Sequence, residues 1–216
     1  MDATTLPGTT QHETFRRDGY VRVRQLLNES LSSYLWSYVR RRAESGTLDV
    51  GDAAVAGARV QWADPAFEAL LDWIQPAIED VTGRTLHPTY SYFRVYGNGD
   101  ELPAHHDRES CEISVSVNLG QDPPDPWPLW IAGYTSTVAV PMHPGDAVVY
   151  RGIDCQHWRD RYEGTQLAQL FLHYVDRDGP YAAFKFDGRK SLRYSYAAQP
   201  TPSIRTLRRL PSGADR

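Results

Sequence analysis

The feature that most constrains the fold is a change in hydrophobic period near His87. In "TYSYFRVY" the even positions 90–96 share one face, and "CEISVSVNLG" alternates even more regularly. A period of two is typical of a β-strand with one buried face. Seven or eight such short segments follow His87 without an intervening helix. This pattern predicts an antiparallel sandwich or barrel.

The sequence before His87 has helical spacing instead. "ETFRRDGYVRV" indicates a short helix, a glycine turn and a short strand, and "NESLSSYLWSYVRRRAES" indicates a second helix. A third helix is expected to start at Asp64-Pro65, to be interrupted at Pro76 and to end at Gly83. The chain is therefore predicted to be α+β and mainly β.

Three regions follow from this change. We expect residues 1–86 to form a helical support region, residues 87–198 to form a β-rich core, and residues 199–216 to form a flexible tail. Hydrophobic residues make up 41% of the 216, which is enough for a sizeable core.

Charge and cysteine usage exclude several classes. The net charge of −4 leaves no basic footprint, so a nucleic-acid partner is not expected. No apolar run approaches the length of a membrane-spanning helix, so no membrane partner is expected either. The polar start of the chain and its two cysteines, Cys111 and Cys155, predict a cytoplasmic protein without a disulfide framework.

The segment "YGNGDELPAHHDRES" contains the first candidate ligands. Residues i and i+2 of a strand point the same way, so His105 and Asp107 can converge on one ion while His106 points away. A third ligand must come from a distant strand. In "PGDAVVYRGIDCQH" an apolar strand and a short loop lead to His157. Two histidines and one carboxylate form the facial triad of non-haem Fe(II) oxygenases, which leaves coordination positions open.

These segments, in this order, resemble the Fe(II)/2-oxoglutarate-dependent dioxygenases, especially the compact members related to prolyl hydroxylases and alkylation-repair demethylases. The resemblance covers about residues 88–175. It implies a double-stranded β-helix core, which is a jelly-roll of cupin-like form, with N-terminal helices packed on it. It also implies that His105, Asp107 and His157 are the catalytic iron ligands and that 2-oxoglutarate and O2 are used.

The resemblance implies hydroxylation of a small molecule or of an amino-acid or peptide side chain, with release of succinate and CO2. Asp107 argues against the halogenating branch, which lacks this carboxylate.

The cosubstrate site departs from the family pattern. The family places an arginine or lysine nine to eleven residues after the distal histidine, where this chain has Gln166, Leu167 and Ala168. In the repair enzymes the positions eleven and nine before the first ligand contact 2-oxoglutarate, and they correspond here to Arg94 and Tyr96. Arg159 lies two residues after His157, on the same side of a regular strand. We therefore expect the distal carboxylate of 2-oxoglutarate to bind Arg94 or Arg159, which rank equally. Tyr96 and Gln166 are the next candidates.

Two alternatives stay open because of this departure. One is a cupin-like metal oxygenase that does not use 2-oxoglutarate. The other is a barrel that binds a ligand without catalysis.

Overall fold

The computed structural model describes residues 10–192, and the predicted tail at 199–216 lies outside them. Three α-helices are present in the described residues: α1 (Gln11–Asp18), α2 (Glu29–Glu44) and α3 (Pro65–Thr82). Each begins at a polar cap, because Thr10, Asn28 and Asp64 accept hydrogen bonds from backbone N–H groups of the first turn.

Helix α3 starts and ends where the sequence indicates, but the predicted interruption at Pro76 is wrong. Pro76 lies inside a continuous helix, and Gly83 caps its end in the left-handed conformation at φ 65°. A proline removes one backbone hydrogen bond. The buried residues Ile74 and Ile78, one turn apart on either side, hold the helix against the sheet despite that loss.

Eleven β-strands are assigned in the described residues. In chain order they are β1 (Tyr20–Val23), β2 (Asp49–Val50), β3 (Arg59–Trp62), β4 (Leu86–Gly97), β5 (Leu102–His105), β6 (Ile113–Asp122), β7 (Leu129–Ala132), β8 (Thr137–Val140), β9 (Ala147–Arg151), β10 (Gln156–Arg159) and β11 (Gln166–Asp176). A short 3₁₀ segment, Glu109–Cys111, lies between β5 and β6, and a second, Ala182–Gly188, follows β11.

The strands form two antiparallel sheets. The major sheet has the order β1-β9-β6-β11-β4-β3-β2, and the minor sheet has the order β5-β10-β7-β8. From β4 onward each strand lies in the other sheet from the strand before it, except that β7 and β8 form a hairpin within the minor sheet, as in a jelly-roll. The prediction of a mainly β, antiparallel core is therefore confirmed.

The two faces of the major sheet bury different partners. On one face, Phe67 and Leu71 of α3 join Val115 and Leu170 in the largest hydrophobic cluster. On the other face, a second cluster joins the major sheet to the minor sheet, for example through Ile131. The molecule thus has three layers, and the space between the two sheets is where the candidate site lies.

The N-terminal region contributes more than helices. β1 was expected after the glycine turn, but β2 and β3 carry no clear period and were not predicted. All three strands join the major sheet, β1 at one edge and β3-β2 at the other. None of the helices in the described residues is both long and apolar enough to cross a membrane.

Candidate metal centre

His105, Asp107 and His157 come together at one end of the minor sheet. β5 and β10 are antiparallel neighbours, and His105 is directly paired with His157 in the register. Asp107 follows β5 by two residues. The Nε2 atoms of His105 and His157 lie 3.7 and 3.6 Å from Asp107 Oδ1. The three ligand atoms lie within 4.8 Å of one another, which is a separation that one ion can bridge.

Backbone carbonyl groups fix the orientation of both imidazole rings. His105 Nδ1 donates to the Pro103 carbonyl at 2.9 Å, and His157 Nδ1 donates to the Cys155 carbonyl at 3.0 Å. In its neutral form each ring therefore carries its proton on Nδ1, so that the Nε2 lone pair faces Asp107. This outer hydrogen bond is typical of histidines that ligate metals. The donor set fits a divalent metal ion such as Fe(II).

Asp107 is held from two sides. Its backbone N–H donates to the Gly152 carbonyl at 2.9 Å, and Ser114 Oγ donates to its Oδ2 at 2.7 Å. A Cβ atom on residue 152 would overlap Asp107 Oδ2 and the Cys111 carbonyl oxygen. Glycine at 152 is therefore what allows the carboxylate to sit against the β9–β10 loop.

Burial controls the protonation of His157 and of its neighbour Tyr150. Burial lowers the pKa of His157, which favours the neutral ring needed by a metal ligand. Tyr150 OH lies 3.3 Å from His157 Nε2. Burial raises the pKa of Tyr150 well above 10, so its phenol remains a hydrogen-bond donor beside the candidate metal position.

A cavity of about 450 Å³ opens from the triad. Its floor is the inner face of the major sheet, where five aromatic rings on β3, β4 and β11 are contiguous: Trp62, Tyr90, Tyr92, Phe171 and His173. The cavity is of a size that suits a small molecule or a side chain.

His173 is a buried member of this floor. Its ring lies 4.6 Å from that of Tyr90, and its Nδ1 lies 3.0 Å from Ser114 Oγ. Burial lowers the pKa of His173 to about 4, so the ring is neutral at physiological pH.

Arg94 lines the same cavity and already has a counterion. Its guanidinium forms an ion pair with Asp52, from the loop between β2 and β3, and donates to Tyr96 OH at 2.7 Å. Tyr92 OH also donates to Asp52 Oδ2, at 2.5 Å. These contacts raise the pKa of Arg94 despite its burial.

Arg159 is placed differently. It is 2% exposed, and its guanidinium donates to the Trp127 carbonyl at 2.5 Å and to Gln169 Oε1 at 3.0 Å. Within residues 10–192 no carboxylate oxygen lies within 4 Å of it. Burial lowers the pKa of Arg159 to about 10, and the group is still charged at neutral pH.

The predicted cosubstrate residues are not all brought together. Arg94 and Tyr96 share the inner face of β4, as strand parity indicates, and Arg159 faces the same interior. Gln166 pairs with Gly97 and lies on the opposite face of β11, with Ala168. Gln169, which pairs with Arg94, is the glutamine that reaches the interior, where its Nε2 donates to Ser116 Oγ at 2.8 Å.

Three further residues of the cavity lining were not among the predicted site residues: His106, Arg108 and Cys111. His106 is exposed and is not among the converging ligand atoms. Arg108 lies over the Tyr90 ring at 4.8 Å and forms a paired contact with Asp187, at 2.9 Å for both nitrogens. Cys111 lines the cavity as an inert thiol, because burial raises its pKa to about 12.

Asp52, Ser114 and Tyr150 were missed as site residues. Ser114 and Tyr150 lie on regular strands, so strand parity could have indicated their inward direction. Asp52 lies in a loop without any period and gave no signal.

No protein-family model and no curated protein sequence matches the chain. Solved structures do match in fold. A prolyl-4-hydroxylase from Pseudomonas putida is 19% identical with a TM-score of 0.62, covering 76% of this chain and 96% of that chain. A prolyl hydroxylase from Trichoplax adhaerens, in complex with a hypoxia inducible factor peptide fragment, is 15% identical with a TM-score of 0.64, covering 78% and 88%.

The epimerase SnoN is a third similar structure, in complex with Fe3+, alpha ketoglutarate and nogalamycin RO. It is 16% identical with a TM-score of 0.65, and the match covers 77% of this chain and 82% of that chain. All three proteins superpose over most of their length. The chain therefore has the double-stranded β-helix fold of the Fe(II)/2-oxoglutarate-dependent oxygenases.

Proposed function

We propose that this protein is an Fe(II)- and 2-oxoglutarate-dependent oxygenase that hydroxylates a small molecule or an amino-acid or peptide side chain. The observation that carries the proposal is the orientation of His105 and His157. Both rings direct an unprotonated Nε2 atom at Asp107 Oδ1, beside an aromatic cavity. That arrangement supplies three ligands on one side of an ion and leaves the other side open to small ligands.

Each triad residue has one role in the proposal. His105, Asp107 and His157 hold Fe(II), and the bound iron together with 2-oxoglutarate and O2 supplies the oxidising chemistry, with succinate and CO2 as products. The surrounding groups only orient these ligands. Ser114 holds the Asp107 carboxylate in place, and the neutral state of His157 keeps its lone pair available.

Arg159 is the proposed partner of the distal carboxylate of 2-oxoglutarate. A buried guanidinium with neutral partners carries a large desolvation cost, which a bound carboxylate would offset. Arg94 is less suited to this role because Asp52 already neutralises it. Tyr96 accepts a hydrogen bond from Arg94 and Gln169 accepts one from Arg159, and we assign both to the polar wall of the same subsite.

The substrate class follows from the cavity. Its aromatic floor and its volume of about 450 Å³ favour a compact organic molecule or a single side chain. The names of the similar structures include both a peptide fragment and nogalamycin RO as bound partners of those proteins.

An anaerobic titration tests the proposal. Fe(II) is added to the metal-free protein, followed by 2-oxoglutarate, and the visible charge-transfer band of the chelate is recorded. Succinate is then measured after O2 is admitted. We expect a saturable band and succinate formation, and His157→Ala should abolish both because it removes one ligand.

The two alternatives give different results in the same experiment. Iron binding without the band would favour a cupin-like oxygenase that does not use 2-oxoglutarate. The absence of iron binding would leave a barrel that binds a ligand without catalysis.

A further inference from the structure

His173 places ring nitrogen atoms in the aromatic floor of the cavity. Its ring pairs across the strands with Tyr90, with centroids 4.6 Å apart, and it is parallel to Phe171 on its own strand, at 5° and 6.5 Å. The Tyr92 ring lies 6.1 Å from that of Phe171. The four rings are contiguous, with Tyr90 tilted by 38° from His173 and Tyr92 by 35° from Phe171, and they line the cavity that the triad also lines.

Ser114 fixes which nitrogen of His173 carries the proton. The Ser114 hydroxyl has one hydrogen, and it lies 2.7 Å from Asp107 Oδ2 and 3.0 Å from His173 Nδ1. A carboxylate oxygen only accepts, so the serine hydrogen goes to Asp107. His173 Nδ1 must then donate to Ser114 Oγ, which puts the proton on Nδ1.

His173 Nε2 is consequently an acceptor. No protein group among residues 10–192 donates a hydrogen bond to this atom. It is also not one of the fully buried polar atoms that lack a partner in those residues, so it is accessible from the cavity. The residue as a whole is 5% exposed and lines the cavity. Its lone pair is therefore presented to whatever occupies the space above the floor.

We propose that the substrate is a ring-containing small molecule or side chain with a hydroxyl or N–H group, and that this group donates a hydrogen bond to His173 Nε2. The ring would pack against the Tyr90 and Phe171 rings in offset or edge-to-face contacts, which are the arrangements that aromatic pairs prefer. The hydrogen bond from the donor group to His173 Nε2 would fix the orientation of the substrate ring on the floor. His173 is thus a substrate-positioning residue, and a substrate of this shape without a donor leaves Nε2 unpaired at a cost in affinity.

This inference rests on the proposed function for the reaction, but it can be tested on metal-free protein. The probes are p-cresol and 4-methylanisole, which have the same ring and methyl group and differ only in that the hydroxyl is methylated. The protein is labelled with [15N]histidine. The His173 signals are assigned by their loss in His173→Phe, which keeps an aromatic ring and removes the acceptor.

We expect the free protein to show the proton on His173 Nδ1. Addition of p-cresol should shift the Nε2 signal in a saturable way, while 4-methylanisole should leave it nearly unchanged. p-Cresol should bind about tenfold more tightly than 4-methylanisole, as expected for one buried hydrogen bond. His173→Phe should reduce that ratio to about one.

A proton on Nε2, equal shifts with both probes, or an unchanged affinity ratio in His173→Phe would each overturn the proposal. If His173→Phe does not fold, the His173 signals are assigned by nuclear Overhauser contacts with the Tyr90 and Phe171 rings instead, and the shifts of the wild-type protein still decide. Phe171→Leu is then the variant that should weaken both probes equally. None of these outcomes depends on iron or 2-oxoglutarate, so they are independent of the titration that tests the oxygenase activity.

Discussion

Ser114 Oγ donates a hydrogen bond of 2.7 Å to Asp107 Oδ2, which leaves Oδ1 as the oxygen that faces both histidines. One hydroxyl group therefore selects which carboxylate oxygen is presented to the candidate metal position. Outer-shell partners of this kind usually change metal affinity by 10- to 100-fold, on the order of 1.4 to 2.8 kcal/mol.

Ser114→Ala should therefore weaken Fe(II) binding by roughly 10- to 100-fold without abolishing it. The reason is that Asp107 keeps its charge but loses its fixed orientation. Anaerobic calorimetric titration measures the change. Ser116→Ala is the matched control, because Ser116 lies on the same face of β6 and contacts Gln169 instead of a ligand. Equal Fe(II) affinities of the wild type and Ser114→Ala would contradict the assigned role.

Gly152→Ala should disrupt the site more severely. The new methyl group would overlap the Asp107 carboxylate and the Cys111 carbonyl, so one of them must move. We expect loss of Fe(II) binding and a decrease of about 1 to 3 kcal/mol in the free energy of unfolding. Gly97→Ala is the control, since its Cβ would have no neighbour nearer than 3.9 Å. Fe(II) titration and urea unfolding of both variants give the comparison.

Arg159 and Arg94 should respond differently to replacement by methionine. Arg159→Met should lower 2-oxoglutarate affinity by roughly 100-fold, because charged hydrogen bonds contribute about 1.5 to 3 kcal/mol each. Its effect on the stability of the metal-free protein should be small, since the removal of a buried charge offsets the loss of the hydrogen bonds to the Trp127 carbonyl and Gln169. Titration of the chelate band and thermal unfolding provide the two measurements.

Arg94→Met should have the opposite profile. It leaves the carboxylate of Asp52 without its counterion, with only Tyr92 OH and two backbone N–H groups as donors, so we expect the metal-free protein to lose about 1 to 3 kcal/mol of stability. The effect on 2-oxoglutarate affinity should be smaller than that of Arg159→Met. If the two arginines exchange these behaviours, the cosubstrate assignment is wrong and Arg94 is the anion site.

His173 should make the stability of the metal-free protein depend on pH. Its pKa is about 4 in the folded protein and 6.5 in the unfolded chain, so the unfolded chain binds the extra proton between these values. Stability is then fully present above pH 6.5 and is lost as the pH falls towards 4. The integrated loss from this group is about 2 kcal/mol at pH 4.5.

Urea unfolding at pH 7 and pH 4.5 measures this dependence. His173→Phe should show a fall in unfolding free energy smaller than that of the wild type by about 2 kcal/mol, because other titrating groups are common to both proteins. Parallel falls in the two proteins would mean that His173 does not carry a depressed pKa.

Strand periodicity predicted the fold and the direction of many side chains. The alternation in β4 predicted that Arg94 and Tyr96 share a face, and the i, i+2 spacing of His105 and Asp107 predicted that they converge. The structure has both relationships. That these residues bind iron and 2-oxoglutarate stays a prediction.

The strand period cannot be counted through a loop, and this explains which site residues were not predicted. Residues 160–165 separate β10 from β11, so counting from His157 along the chain selected Gln166 for the cosubstrate site, whereas Gln169, on the face of His173, is the glutamine that faces inward. Asp52 lies in a loop, so the counterion that distinguishes Arg94 from Arg159 has no signature in the sequence. An interruption of α3 was predicted at Pro76 because local helix propensity does not include the packing of this helix on the sheet.

The direct pairing of His105 with His157 has a consequence for how the chain unfolds. These residues are more than fifty positions apart, and β6 to β9 lie between them. An ion held by both would close that segment into a loop, in the manner of a cross-link, and would restrict the chain until the ion dissociates. Iron loading should then slow unfolding of the whole β-core, because the candidate metal centre would also link β5 to β10.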